Sequence, residues 1–197
     1  HDRFEPSTPI WVTETADAAC GGNPWAVTFL DSFRYLEQMG RLAKRGVKVI
    51  FHNTLAASEY GLIDPATLKP RPNYWAALLW HKLMGPVVLD AGTSRPGLNL
   101  YAQCLRGHPG GVTLMAVNTN RAQAETLGLP LPAERYTLAA QKLEDTRVRL
   151  NGHELKLEAN DELPSLKGKR VEAGPVQLAP ASITFLAIAD AGNANCR

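Results

Sequence analysis

Glu14 closes a short apolar run, Pro9-Ile10-Trp11-Val12-Thr13. It is followed at once by Thr15-Ala16-Asp17-Ala18-Ala19-Cys20-Gly21-Gly22-Asn23-Pro24, a stretch of small and turn-forming residues. A strand of that kind presents a carboxylate at its C-terminal end, and a glycine loop allows close approach to the backbone. Because the pattern beyond Pro24 is that of an amphipathic helix, the order is strand, acid, glycine loop, helix. An α/β barrel displays its catalytic groups in this way, on the face made by its strand ends. Most glutamates near strand ends are solvated surface charges, so this order alone carries little chemistry. The residues downstream make Glu14 a candidate nucleophile.

The elements that must hold it are readable from spacing. Trp25, Phe29, Phe33, Leu36, Met39 and Ala43 recur every three or four residues between Pro24 and Arg45, which predicts a helix there. Gly46 is placed to end it, and Val47-Lys48-Val49-Ile50-Phe51 predicts a mostly buried strand. The loop from His52 to Gly61 is too long for a simple connection, and loops of that kind carry function. Pro70 and Pro72 then lead into a predicted buried helix, Asn73 to Met84, closed by Gly85-Pro86. Trp25, Trp75 and Trp80 sit at helical spacing on apolar faces and are expected in the core.

Beyond Pro86 the period changes to two. Leu98, Leu100, Ala102 and Cys104 alternate with their neighbours, and Val112 to Val117 follows the turn residues His108-Pro109-Gly110-Gly111. Further strands are expected at Tyr136 to Ala139, at Val148 to Leu150 with Asn151-Gly152 as a tight hairpin turn, and at Ser182 to Ile188. The expected fold class is therefore α/β plus all-β. Residues 1–88 would be the last two β/α units of a (β/α)8 TIM barrel, and residues 89–197 a β-sandwich domain. A whole barrel takes roughly 250 residues and eight strands. Two parallel strands cannot satisfy their edges or cover both faces, so a partner carrying the missing strands is expected.

Composition narrows the function. The 21 basic and 19 acidic residues are interspersed, so no basic tract argues for nucleic acid. No apolar run approaches the ~18 residues of a membrane span. The N-terminus lacks the charged-then-apolar pattern of a signal peptide, so any targeting segment is expected to be removed or to lie on other sequence. Cys20, Cys104 and Cys196 are too scattered for a zinc site and allow at most one intrachain bridge. His52 and His81 have no metal-like companions, and neither a metal nor another cofactor is expected.

Trp11-Val12-Thr13-Glu14-Thr15, Cys20-Gly21-Gly22-Asn23-Pro24, Glu59-Tyr60-Gly61-Leu62-Ile63-Asp64 and Pro72-Asn73-Tyr74-Trp75 together resemble the C-terminal half of the heparanase and β-glucuronidase family, glycoside hydrolase family 79. Among its members the pattern is most similar to the bacterial heparanase-like ones. The resemblance implies a retaining glycosidase with Glu14 as nucleophile on the seventh barrel strand. Such an enzyme needs two carboxyl groups about 5 to 5.5 Å apart. The family's acid/base glutamate lies on strand four, outside this sequence, so the implied partner is the N-terminal portion of the same enzyme. Asp17 and Glu59 are read as local loop charges, Asp17 at a cap and Glu59 at the rim.

The resemblance further implies that a uronate carboxylate is held by backbone amides at Cys20 and Gly21 and by the hydroxyl of Tyr60, with Asn53 also in the cleft. Strand-end asparagines also cap turns, and both roles stay open for Asn53. Cys20 stands where eukaryotic members have the first of three glycines. Cys104 and Cys196 match a pair that is disulfide-bonded in the mammalian family members, which implies a secreted or periplasmic, extracytoplasmic protein. The expected function is cleavage of β-glucuronide linkages in heparan sulfate-like, uronate-containing polysaccharide. Alternatives are an exo-β-glucuronidase acting on small glucuronides and a non-catalytic carbohydrate-binding module.

Overall fold

The first strand, β1, runs from Ile10 to Thr15, so Glu14 is its penultimate residue. In the computed structural model, which describes residues 1–197, β1 lies parallel to β2 (Val47–His52), with Thr15 opposite His52. Helix α1 (Phe29–Lys44) connects them and α2 (Pro72–Leu83) follows the long loop, giving the expected strand-helix-strand-helix order. No helix is long and apolar enough to cross a membrane.

Two expectations fail in this half. Helix α1 begins at Phe29 rather than near Pro24, because its first free N–H groups find acceptors far along the chain. Phe29 and Leu30 donate to the carbonyls of Asp145 and Leu143, both at 2.8 Å. Trp25 therefore lies outside the helix and is 47% exposed, whereas Trp75 is 2% exposed. The second failure is β2, which is not mostly buried. Trp11 and Phe51 meet in a tilted pair with ring centroids 6.3 Å apart, yet each remains about half exposed. A sheet of two strands leaves one edge of each strand unpaired and cannot cover both of its faces.

The second half is built from β3 (Met84–Leu89), β4 (Leu98–Leu105), β5 (Val112–Asn118), β6 (Glu125–Leu129), β7 (Ala133–Ala139), β8 (Arg149–Leu150), β9 (His153–Glu154), β10 (Lys169–Val171), β11 (Gly174–Leu178) and β12 (Ser182–Ile188). Eight strands form one sheet in the order β3-β4-β5-β12-β7-β8-β9, with β10 added on β7. The other layer is only the antiparallel ribbon β6-β11. Strand β3 starts where α2 ends, so the sheet begins at Met84 and a division between 88 and 89 cuts through a paired strand. Asn151 and Gly152 turn between β8 and β9 with positive φ at both, as a two-residue hairpin requires.

Alternation along the central strands splits the core in two. Met115, Val117, Ile183, Phe185 and Tyr101 face α1 and α2, joining Phe29, Leu36, Trp75 and Leu79. Their neighbours Ala116, Leu186, Ile188, Leu98 and Leu100 face the ribbon, with Leu129, Val176 and Leu178. The helices are thus one outer layer of the large sheet and at the same time the backing of β1 and β2. At the crossing of α1 and β4, Gly40 meets the Tyr101 ring so closely that a Cβ there would lie 2.5 Å from Cδ1. The Tyr101 hydroxyl donates to Glu37 at 2.9 Å, and burial, aided by that carboxylate, raises its pKa to about 12.

Cys104 on β4 is bonded to Cys196, closing a separation of 92 residues. Cross-linking a loop of that length stabilises by ~4 kcal/mol in the chain-entropy account. Cys20 is a free, exposed thiol.

Candidate active site

The register of β1 against β2 shifts between Val12 and Thr15, and beyond that irregularity Glu14 and Thr15 turn to different partners. The Thr15 hydroxyl bonds the Gln38 side chain of α1 at 2.7 to 3.0 Å. Arg34 bonds the same Gln38 at 3.0 Å and also pairs with Asp31. Asn73 at the start of α2 donates to Asp31 Oδ2 at 3.0 Å, an oxygen that Arg34 Nη2 also reaches at 3.2 Å. Burial pushes the Asp31 carboxyl above its usual pKa against the opposing pull of Arg34. This polar chain fixes the strand end from the helix side.

On the open side stands Asn53, the residue after β2. Its N–H donates to the Thr15 carbonyl at 2.8 Å, which extends the parallel pairing past the strand. Its side-chain Nδ2 donates to Glu14 Oε1 at 2.7 Å. The contact that the structure assigns to Asn53 is thus with the Glu14 carboxylate. One carboxylate oxygen is engaged and Oε2 bonds no other group of the chain.

Glu14, Asp17, Cys20, Asn53 and Tyr60 line one cleft of about 260 Å3. Four of the five expected site residues meet there. Gly21 lies beside the cleft, in a loop where Cys20, Gly21 and Gly22 all have positive φ of 58°, 81° and 91°. Successive left-handed residues make a concavity of N–H groups suited to an anion. The Gly22 N–H is taken by the Glu59 carboxylate, and a Cβ on Gly21 would lie 2.6 Å from Glu59 Oε1. The amides of Cys20 and Gly21 donate to no other group of the chain.

Tyr60 is held through its backbone. Arg71 Nη1 donates to the carbonyls of Ser58 (2.7 Å), Glu59 and Gly61 (3.3 Å), and Nη2 to Asp64 at 3.1 Å. His52 Nε2 lies 2.9 Å from the Tyr60 carbonyl and must donate to it, since a carbonyl only accepts. Nδ1 of that ring is buried without a partner, and burial lowers the His52 pKa, which favours the neutral ring. Four consecutive carbonyls, 58 to 61, are thereby pinned. Asp64 is drawn down to about 2 by the Thr67 N–H and hydroxyl and by Arg71.

Sequence reasoning missed Arg71 and the role of Glu59. Arg71 lies between two prolines and reads as a helix approach, yet it is only 8% exposed. Buried arginines are held by several acceptors, which an isolated sequence does not show. Asp17 caps no helix. It accepts from Asn23 Nδ2 and lies 3.6 Å from Arg34, bracing the glycine loop. Glu59, accepting from Gly22 and from Ser58 at 3.1 Å, has its pKa lowered first by the Gly22 N–H. Both Glu59 oxygens and the Asp17 carboxylate are engaged within the loops, so neither is free to serve as a proton donor to a leaving group.

Over 93% of its length the chain is 32% identical to heparanase-like protein 1 of Arabidopsis thaliana, and over 99% it is 32% identical to heparanase of Bos taurus. The chain belongs to the heparanase family. Baicalin-beta-D-glucuronidase of Scutellaria baicalensis is 30% identical over 89% of the chain. No family model matches. This heparanase-type chain spans about two fifths of these relatives, 41% and 39% of the Arabidopsis and bovine proteins. Among solved structures it is similar to a 4-O-α-L-rhamnosyl-β-D-glucuronidase from Fusarium oxysporum, with TM-score 0.68 and 16% identity over 92% of this chain and 44% of that one. At that identity the likeness speaks for a glycoside hydrolase fold alone.

Proposed function

We propose that the chain is the nucleophile-bearing part of a retaining glycoside hydrolase that cleaves β-glucuronide linkages in heparan sulfate-like polysaccharide. In this reading β1 and β2 are the seventh and eighth strands of a (β/α)8 barrel. The six preceding strands and the acid/base glutamate belong to the N-terminal portion of the same enzyme. The span of about two fifths of the relatives supports this, as do the unpaired edges of β1 and β2. The disulfide supports an extracytoplasmic setting.

The observation that carries the mechanism is the Glu14 carboxylate at the mouth of the cleft, oriented through Oε1 by Asn53. Glu14 Oε2 attacks the anomeric carbon while the acid of the N-terminal portion protonates the leaving oxygen. A glycosyl ester forms on Glu14, and water then releases the sugar with retained configuration. Around the uronate carboxylate stand the amides of Cys20 and Gly21 and the Tyr60 hydroxyl.

In the assembled enzyme, Glu14→Gln should keep the fold and bind substrate but lose nearly all turnover of an aryl β-glucuronide. A 2-fluoro glucuronide should label the peptide that contains Glu14. Wild-type kcat in the variant, or label on another residue, would remove Glu14 from this role. A second reading, exo cleavage of small glucuronides, draws on the likeness to baicalin-beta-D-glucuronidase. Product chain lengths from a defined heparan sulfate oligosaccharide separate the two, since exo action removes single terminal sugars.

A further inference from the structure

Glu59 sits on the loop that carries Tyr60, yet its carboxylate reaches across to the glycine loop, 37 residues away in sequence. Oε1 accepts from the Gly22 N–H and Oε2 from the Ser58 hydroxyl, so both oxygens are engaged within the chain. Its backbone is equally fixed, because Arg71 holds the carbonyls of Ser58, Glu59 and Gly61. A Cβ on Gly21 would lie 2.6 Å from Oε1, so any side chain there would have to push the Glu59 carboxylate aside.

The loop on the other side needs such an anchor. Cys20 has a side chain and still adopts φ of 58°, a region that L residues enter only when their surroundings compel it. Gly21 and Gly22 follow with φ of 81° and 91°, and glycine alone would let them relax into many other conformations. Among the side chains, only that of Glu59 accepts from a backbone N–H of residues 20–22.

We propose that Glu59 is a positioning residue: by accepting from Gly22 it locks residues 20–22 in the left-handed conformation that leaves the Cys20 and Gly21 amides for a substrate carboxylate. It acts through the loop and does not touch the sugar. A carboxylate beside a uronate-binding site would repel substrate if it were bare. Here the Gly22 N–H and the Ser58 hydroxyl take up its charge. The inference rests on the glucuronide reading for its ligand, but the anchor itself is a statement about the loop.

The test compares Glu59→Ala with Glu59→Gln in the assembled enzyme, after thermal melts show that both variants fold. Glutamine keeps an oxygen for Gly22, and its NH2 can donate to Ser58, which then accepts. In Glu59→Ala, amide hydrogen exchange of the segment 18–24 should quicken by roughly tenfold or more. KM for an aryl β-glucuronide should rise by about tenfold or more with a smaller change in kcat, and KM for the matching glucoside should barely move. Glu59→Gln should restore wild-type exchange and KM. Unchanged exchange in the alanine variant, or a glutamine variant as loose as alanine, overturns the proposal. So does quickened exchange with unchanged KM in an enzyme that cleaves glucuronides. The exchange pattern needs no turnover: found in an enzyme that cleaves no glucuronide, it supports the anchor while sinking the activity proposed above.

Discussion

Removing the Asn53 amide is the most direct probe of how the cleft holds Glu14. Asn53 Nδ2 donates to Glu14 Oε1 at 2.7 Å, and nothing else in the chain restrains that carboxylate. A hydrogen bond to a charged group contributes about 1.5–3 kcal/mol, and because Glu14 is open to solvent in this chain the lower end, ~1.5 kcal/mol, applies. That free energy confines the carboxylate to one orientation, so Asn53→Ala should cut the productive population, and with it kcat, by about tenfold. Asn53→Asp is a sharper perturbation. It sets a second carboxylate oxygen where Nδ2 stood, 2.7 Å from Oε1. Two carboxylates that close do not both stay ionised, so the aspartate variant should fall roughly a further tenfold or more at neutral pH. Part of that loss should return as the pH is lowered and one of the pair is protonated. Initial rates on an aryl β-glucuronide across a pH series measure both variants. An alanine variant within about twofold of wild type, together with an aspartate variant no worse than it, would refute the reasoning.

Tyr60→Phe should lower kcat/KM for a β-glucuronide by about 1–3 kcal/mol in transition-state terms and leave the corresponding glucoside nearly unchanged; equal losses on both substrates would make the tyrosine structural. Gly40→Ala should lower Tm even though alanine is the better helix former by ~1 kcal/mol, because a Cβ 2.5 Å from the Tyr101 ring forces α1 off β4 at about 1–3 kcal/mol. A Tm at or above that of wild type would show that the crossing can relax.

The parts of this molecule that local spacing encodes were legible. The body of α1, the end of β1 with Glu14, the Asn151-Gly152 turn and the central strands β4, β5 and β12 follow from periodicity and turn chemistry alone. What was hidden depends on partners far apart in sequence. The start of α1 is set by carbonyls at 143 and 145, over a hundred residues on. Glu59 reads as a rim charge until Gly22 is placed beside it. Strands β6 and β11 are short and carry Gly128 and Pro175, residues that weaken a strand signal, so the ribbon escaped notice. The buried look of Val47 to Phe51 misled for another reason: an apolar run reports that a strand is made to be covered on both faces, not that this chain covers it.

The same long-range partners explain why a β module accompanies a strand-end carboxylate. Glu14 is held through β1, β1 through Thr15 and Gln38, and Gln38 by α1. At its start α1 is capped by the loop at 143–145, and midway it is locked by Gly40 and Glu37 against Tyr101 of β4. Strand β4 is in turn tied to the chain's last residues by the Cys104–Cys196 bond. The large sheet therefore acts as the far end of a rigid bracket whose near end is Glu14. A displacement of about 1 Å at a reacting group can cost roughly a hundredfold in rate. Changes in the Tyr101 contact, remote from the cleft, should consequently reach kcat as well as stability, through the orientation of Glu14 and of the glycine loop that Arg34 of α1 braces.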